Sequence, residues 1–142
     1  MPWHAVGPVV MPGDYYGRPC MVYTCGVWDI DAELIESWVG SLDEASRAQV
    51  IAALRILREA GPQLGRPLVD TVKASRYKNI KELRPGSSGR SELRILFAFD
   101  PVRRAILLVA GDKAGDWERW YRKNIPRADD LYEQHLADLK RK

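Results

Sequence analysis

A chain of 142 residues has room for one domain with a real core and not for two, and its 46% hydrophobic and 29% charged residues exclude wholesale disorder. The net charge is only +3, but residues 1–60 hold 4 basic and 8 acidic side chains (net −4), whereas residues 66–123 hold 14 and 7 (net +7). The second half is therefore expected to build a surface for a polyanion. No apolar run reaches the roughly 18 residues of a membrane span, and the first 20 residues lack the basic start and apolar core of a signal peptide, so the expected location is cytoplasmic, with no membrane contact. Cys20 and Cys25, with only His4 and His135 elsewhere, make a poor ligand set; they are expected to be inert thiols, with no metal and no cofactor.

Residues 1–20 carry Pro2, Pro8, Pro12 and Pro19 with Gly7, Gly13 and Gly17. That composition resists both helix and central strand and reads as a flexible leader, with the folded domain over 21–142. Residues 21–28, MVYTCGVW, suit a first strand. Asp29 and Asp31 can cap a helix on which Leu34, Ile35, Trp38, Val39 and Leu42 share a face. A second helix follows, with Ser41 and Glu44 at capping-box spacing, an apolar stripe of Val50, Leu54 and Leu57, and a stop at Gly61-Pro62.

A meander comes next. Residues 77–84 read as a strand, 85–89 (PGSSG) as a turn, and 91–99 as a strand with Leu93, Ile95, Phe97 and Phe99 on one face and Arg94 on the other. Asp100-Pro101 opens a further turn, and residues 105–110, nearly all apolar, form an interior strand with Gly111-Asp112-Lys113 at its exit. Asp116 can cap a short helix holding Trp117, Trp120 and Tyr121, and Pro126 fits the first turn of a last helix running to Lys140. On that helix His135 shares a face with Ala128, Leu131, Tyr132 and Leu139, which makes it a packing residue rather than a catalyst. The expected class is α+β: an antiparallel sheet of about four strands, two N-terminal helices on one face, and C-terminal helices.

The segments Ile80-Lys81-Glu82-Leu83-Arg84, Arg94-Ile95-Leu96-Phe97 and Gly111-Asp112-Lys113, in this order on these elements, resemble HigB/RelE-like toxins of bacterial type II toxin–antitoxin systems, in the branch related to phage host-killing proteins. The resemblance covers roughly residues 28–139. It implies a RelE-like fold and a ribonuclease that cuts messenger RNA on the ribosome. It also implies neutralisation by a cognate antitoxin, expected to be a helix-turn-helix protein, and a concave RNA site lined by Glu82, Arg84, Arg94 and Lys113. After Lys113 many HigB-like chains continue with a second lysine and a Thr-Pro pair, where this one reads Ala114-Gly115-Asp116-Trp117.

These residues also make chemical sense. When the 2′-hydroxyl of RNA attacks its own phosphorus, a proton must be taken, negative charge held and the 5′-oxygen helped to leave. Clustered cations stabilise the dianionic phosphorane without a metal. Arg94 is the first choice for the phosphate clamp, Lys113 for the acid or transition-state cation, and Glu82 for orienting Arg84 rather than acting as base. Strand alternation puts Lys78, Ile80, Glu82 and Arg84 on one face and Lys81 with Leu83 on the other. Lys78, Lys81 and Arg90 are further candidates for RNA contact, and Trp120 or Tyr121 for stacking on a displaced base. Each has a plainer counterpart: Arg84 and Arg94 as a surface network with Glu82 and Glu92, the aromatic residues as helix packing, and Arg90, Arg103 and Arg104 as solvated turn residues. A gyrase poison of the ParE type and a non-catalytic nucleic-acid-binding module are the alternative functions on the same scaffold.

Overall fold

The computed structural model describes residues 28–86 and 89–141. The expected leader, both cysteines and all but Trp28 of the expected first strand lie outside them. In chain order the elements are β1 (Asp29–Asp31), a 3-10 turn (Glu33–Ile35), α1 (Glu36–Ser41) and α2 (Glu44–Ala60), then β2 (Val69–Thr71), β3 (Ile80–Leu83), β4 (Leu93–Phe99), β5 (Arg104–Asp112) and α3 (Trp117–Lys140). The strands form one sheet in the order β1-β5-β4-β3-β2. The β2-β3, β3-β4 and β4-β5 pairs are antiparallel, and β1 lies parallel to β5.

The class is α+β as expected, but among the described residues the sheet has five strands and is mixed. Two corrections account for this. Asp29 does not cap a helix: in β1 it pairs with Arg104 of β5, and Ile30 pairs with Ala105, while Asp31, also in β1, accepts from the Glu33 amide at 3.1 Å without being the cap of the 3-10 turn, a position held by Ala32. Residues 69–71, without strand periodicity over three positions, form the edge strand β2 because β3 offers them a partner.

Both faces of the sheet are covered. Leu93, Ile95 and Phe97 of β4 pack with Ala105 and Leu107 of β5 against Val50, Leu54 and Leu57 of α2. Leu96 and Ala98, with Ile106, Leu108 and Val109, pack against Ile125, Ala128 and Tyr132 of α3. Alternation along β4 therefore serves two cores instead of one core and solvent.

α2 is capped by Asp43, whose carboxylate accepts from the Ser46 amide at 3.2 Å, and not by the Ser41–Glu44 box. α3 is one continuous helix of 24 residues with Pro126 inside it, not two helices. Asp116 does cap its start, accepting from the Arg119 amide at 3.1 Å. His135 lies 2.8 Å from the buried Asp100 and stacks on Tyr132, tying the end of α3 to the β4-β5 turn. Among the described residues no helix is long and apolar enough to cross a membrane.

Candidate functional site

At the end of the sheet where β3 finishes and β4 begins, Glu82 is the hub of a charge cluster. It is buried on the α3 face, beside Ile80 in the alternation of β3. Burying a carboxylate is costly unless its oxygens are occupied, and here both are. Oε1 accepts from Arg84 Nε at 2.9 Å and lies 3.8 Å from Arg94 Nε, and Oε2 accepts from the Tyr121 hydroxyl. The β3-β4 register makes this possible: Glu82 pairs with Leu96, so Arg94, two residues earlier on β4, is its diagonal neighbour on the same face.

A neighbouring strand holds Arg84 further in place, and its own strand holds Arg94. The second arm of Arg84 reaches Asp70 of β2 at 3.2 Å, where Arg66 also binds at 3.2 Å. Arg94 donates to the Leu93 carbonyl at 2.7 Å, and the rest of its side chain lies under α3, only 15% exposed. The hydrogen bond from Arg84 to Glu82 pushes the guanidinium pKa up, so its charge is fixed. The bond from Arg66, followed by the Thr71 amide, holds the Asp70 carboxyl below the usual range. Burial, followed by the Glu82 contact, pushes the Tyr121 phenol up to about 12. Tyr121 is thus a neutral hydrogen-bond donor at physiological pH and not a base.

β5 supplies the third cation through a bulge. Leu96 pairs with Val109 but Phe97 with Leu107, so Leu108 is the extra residue, and Leu108 and Val109 both face α3. The bulge reverses the alternation beyond it and brings Gly111, opposite Arg94, beneath Trp120. A Cβ on Gly111 would stand 2.6 Å from the indole nitrogen, so glycine is what lets the helix settle here. Two residues on, the Lys113 ammonium lies 5.7 Å from the centre of the Tyr121 ring and 3.7 Å from Glu92. The Asp112 carboxylate fixes this exit by accepting from the amides of Glu92 and Ala114, both at 2.9 Å.

Of the residues singled out from the sequence, Glu82, Arg84, Arg94, Lys113 and Tyr121 come together. Trp120 packs partly buried on Gly111, edge-on to Tyr121, while Trp117 at the mouth is 56% exposed. Arg90 is exposed in the turn leading into β4, at the same end of the sheet. Lys81 pairs with Phe97 and faces the α2 side, away from Glu82. Lys78 is exposed before β3, at the opposite end of that strand. The sequence reading missed Asp70 and Arg66, because only the unrecognised pairing of β2 with β3 brings them to Arg84. Among the described residues no group of three or more His, Cys, Asp or Glu side chains is placed to hold a metal ion.

The family model described as phage-derived protein Gp49-like (DUF891) matches residues 37–133, a stretch that includes the whole cluster. A protein of Mycobacterium tuberculosis named "Putative toxin HigB2" is 50% identical over 134 residues, covering 90% of this chain and 66% of the relative. Another from the same organism, "Putative toxin HigB3", is 52% identical over 103 residues, covering 72% of this chain and 88% of the relative. The chain thus spans about two thirds of the length of the first relative and most of the second. No solved structure matches it significantly.

Proposed function

Because the chain belongs to the phage-derived Gp49-like family, alongside relatives named as HigB toxins, we propose that it is the toxin of a toxin–antitoxin pair. In this reading it acts in the cytoplasm as an endoribonuclease that cleaves messenger RNA on the ribosome, using its own cations in place of a metal. The observation that carries it is the Glu82 hub, which holds Arg84 and Arg94 beside Lys113 under the rim of α3.

In the reaction the 2′-hydroxyl gives its proton to solvent water and the 2′-oxygen bonds to the adjacent phosphorus as the bond to the 5′-oxygen breaks; the 5′-oxygen takes up a proton, so that a 2′,3′-cyclic phosphate and a 5′-hydroxyl result. Arg94 and Arg84 clamp the phosphate and stabilise the extra charge of the phosphorane. Glu82 has no oxygen to spare for a base and serves to preorganise both guanidinium groups. Lys113 protonates the leaving oxygen or stands by it as a cation. Its contact with Glu92 is long, at 3.7 Å, and 49% of the Glu92 side chain is exposed, so a phosphate can displace it. The cognate antitoxin, a helix-turn-helix protein, covers this basic face with an acidic segment.

Arg94→Ala is the direct test. Removing one preorganised charge costs about 10²-fold to 10³-fold in rate, so the variant, expressed without antitoxin, should remain soluble and lose both growth arrest and the messenger RNA ends produced by wild type. Equal arrest with the same ends would overturn the assignment. Arrest with intact messenger RNA and gyrase-linked DNA breaks would favour the ParE-type alternative.

A further inference from the structure

Beside Tyr121 lies a cleft of about 400 Å³, lined by Ala74, Arg76, Tyr121, Arg122, Ile125, Pro126 and Asp129. We propose that it is a nucleotide subsite, which takes one base of the RNA strand next to the cleaved phosphate and places that nucleotide's own phosphate on Arg122. The inference rests on the ribonuclease reading, and it adds a second contact that selects where the strand is cut.

Four observations carry it. The volume is that of a small-molecule pocket, and it adjoins the reacting centre through a shared wall, since the Tyr121 hydroxyl is bound to Glu82. A ring pinned in this way is a rigid stacking surface, and Ile125 and Pro126 add an apolar floor.

The rim carries two arginines, of which one is already paired with carboxylates. Arg122 is exposed and makes no ion pair among the described residues, whereas Arg76 is held by Asp130 at 3.2 Å and Glu133 at 3.1 Å. Arg122 is therefore the cation available for a phosphate.

The outer wall is built and not loose. The two oxygens of the buried Asp129 accept from the Ser75 hydroxyl and, at 3.0 Å, from the Arg76 amide, which fixes the loop before β3 against α3.

Finally, Pro126 sits in the interior of α3, where a proline is strongly disfavoured, and nothing in the packing of the sheet requires it, since it is exposed. Its ring lines the cleft as a rigid apolar wall beside Tyr121.

The test has two arms. In the first, the full-length chain carrying Arg94→Ala is titrated with the four ribonucleoside 5′-monophosphates and followed by amide NMR. Saturable shifts are expected at Ala74, Arg122 and Ile125, lost in Ala74→Trp, which fills the cleft, and weakened about tenfold in Arg122→Ala. No shift at these amides up to 10 mM, on the order of the weakest specific affinities, would overturn the subsite. In the second, cleavage sites of wild type, Ala74→Trp and Arg122→Ala are mapped on the same transcripts. The base preference beside the cut should change in both variants. If wild type cuts RNA and the variants keep its site profile, the subsite is wrong while the ribonuclease reading stands. If wild type cuts no RNA, that reading fails, and the titration alone decides whether the cleft binds nucleotides.

Discussion

Tyr121 shows how far a single residue's role depends on its surroundings. Its phenol is pushed up to about 12, first by burial and then by Glu82, above the ~10 of an unfolded tyrosine. A neutral group whose folded pKa is raised contributes stability that is complete below pH ~10 and is lost as pH rises towards 12. The difference in unfolding midpoint between wild type and Tyr121→Phe should therefore be constant at neutral pH and shrink between pH 10 and 12. A difference that stays flat to pH 12 would mean that the hydroxyl does not bind Glu82. The hub itself makes a second prediction. Glu82→Gln removes the counter-charge of two guanidinium groups, and breaking a buried pair costs about 3–5 kcal/mol. Because Arg84 is 37% exposed, solvent screens part of this, and a loss of about 2 kcal/mol in denaturant unfolding is expected. An unchanged midpoint would show that Glu82 does not organise the arginines. The motif residues Glu82, Arg84 and Arg94 were legible in the sequence; that Glu82 would be buried and saturated was not, because burial depends on a helix nearly 40 positions away.

At the scale of elements, the seating of α3 on the sheet decides the site. The bulge at Leu108 gives β5 the phase that sets Gly111 under Trp120, and the clash distance of 2.6 Å makes that contact testable. Gly111→Ala should cost about 1–3 kcal/mol through overpacking, lowering the melting temperature. Combined with Trp120→Leu, which removes the obstructing indole, the alanine should cost less than it does alone, since residues in contact are not additive. Strict additivity would show that Trp120 does not rest on Gly111. The sequence indicated β3, β4 and β5 through turn residues and β-branched or apolar runs. It did not reveal the bulge, since one extra residue leaves the composition of a strand unchanged. It also misplaced a helix boundary at Pro126. Proline there reads locally as a start, while packing of Ile125, Ala128 and Tyr132 on the sheet carries the helix through it.

For the whole molecule the governing quantity is the uneven charge. The stretch 66–123, with a balance of +7, contains every cation of the cluster, and in the proposed reading it is the surface that attracts RNA and an acidic antitoxin segment alike. Association with the antitoxin should slow as salt rises from 50 to 500 mM, with a weaker effect on dissociation, because long-range steering is screened over about 10 Å. An association rate indifferent to salt would place the interface elsewhere. The sequence by itself determined the class of fold, the order of β3, β4 and β5, and the motif residues Glu82, Arg84, Arg94 and Lys113 of the charge cluster, because periodicity, turn chemistry and short motifs are local properties of the chain. Only the tertiary structure decided the parallel edge strand β1, the short strand β2 with Asp70, the continuity of α3, and the separation of Lys81 and Lys78 from the site. These depend on strand register and on what packs against each face, and both are settled by partners distant in sequence.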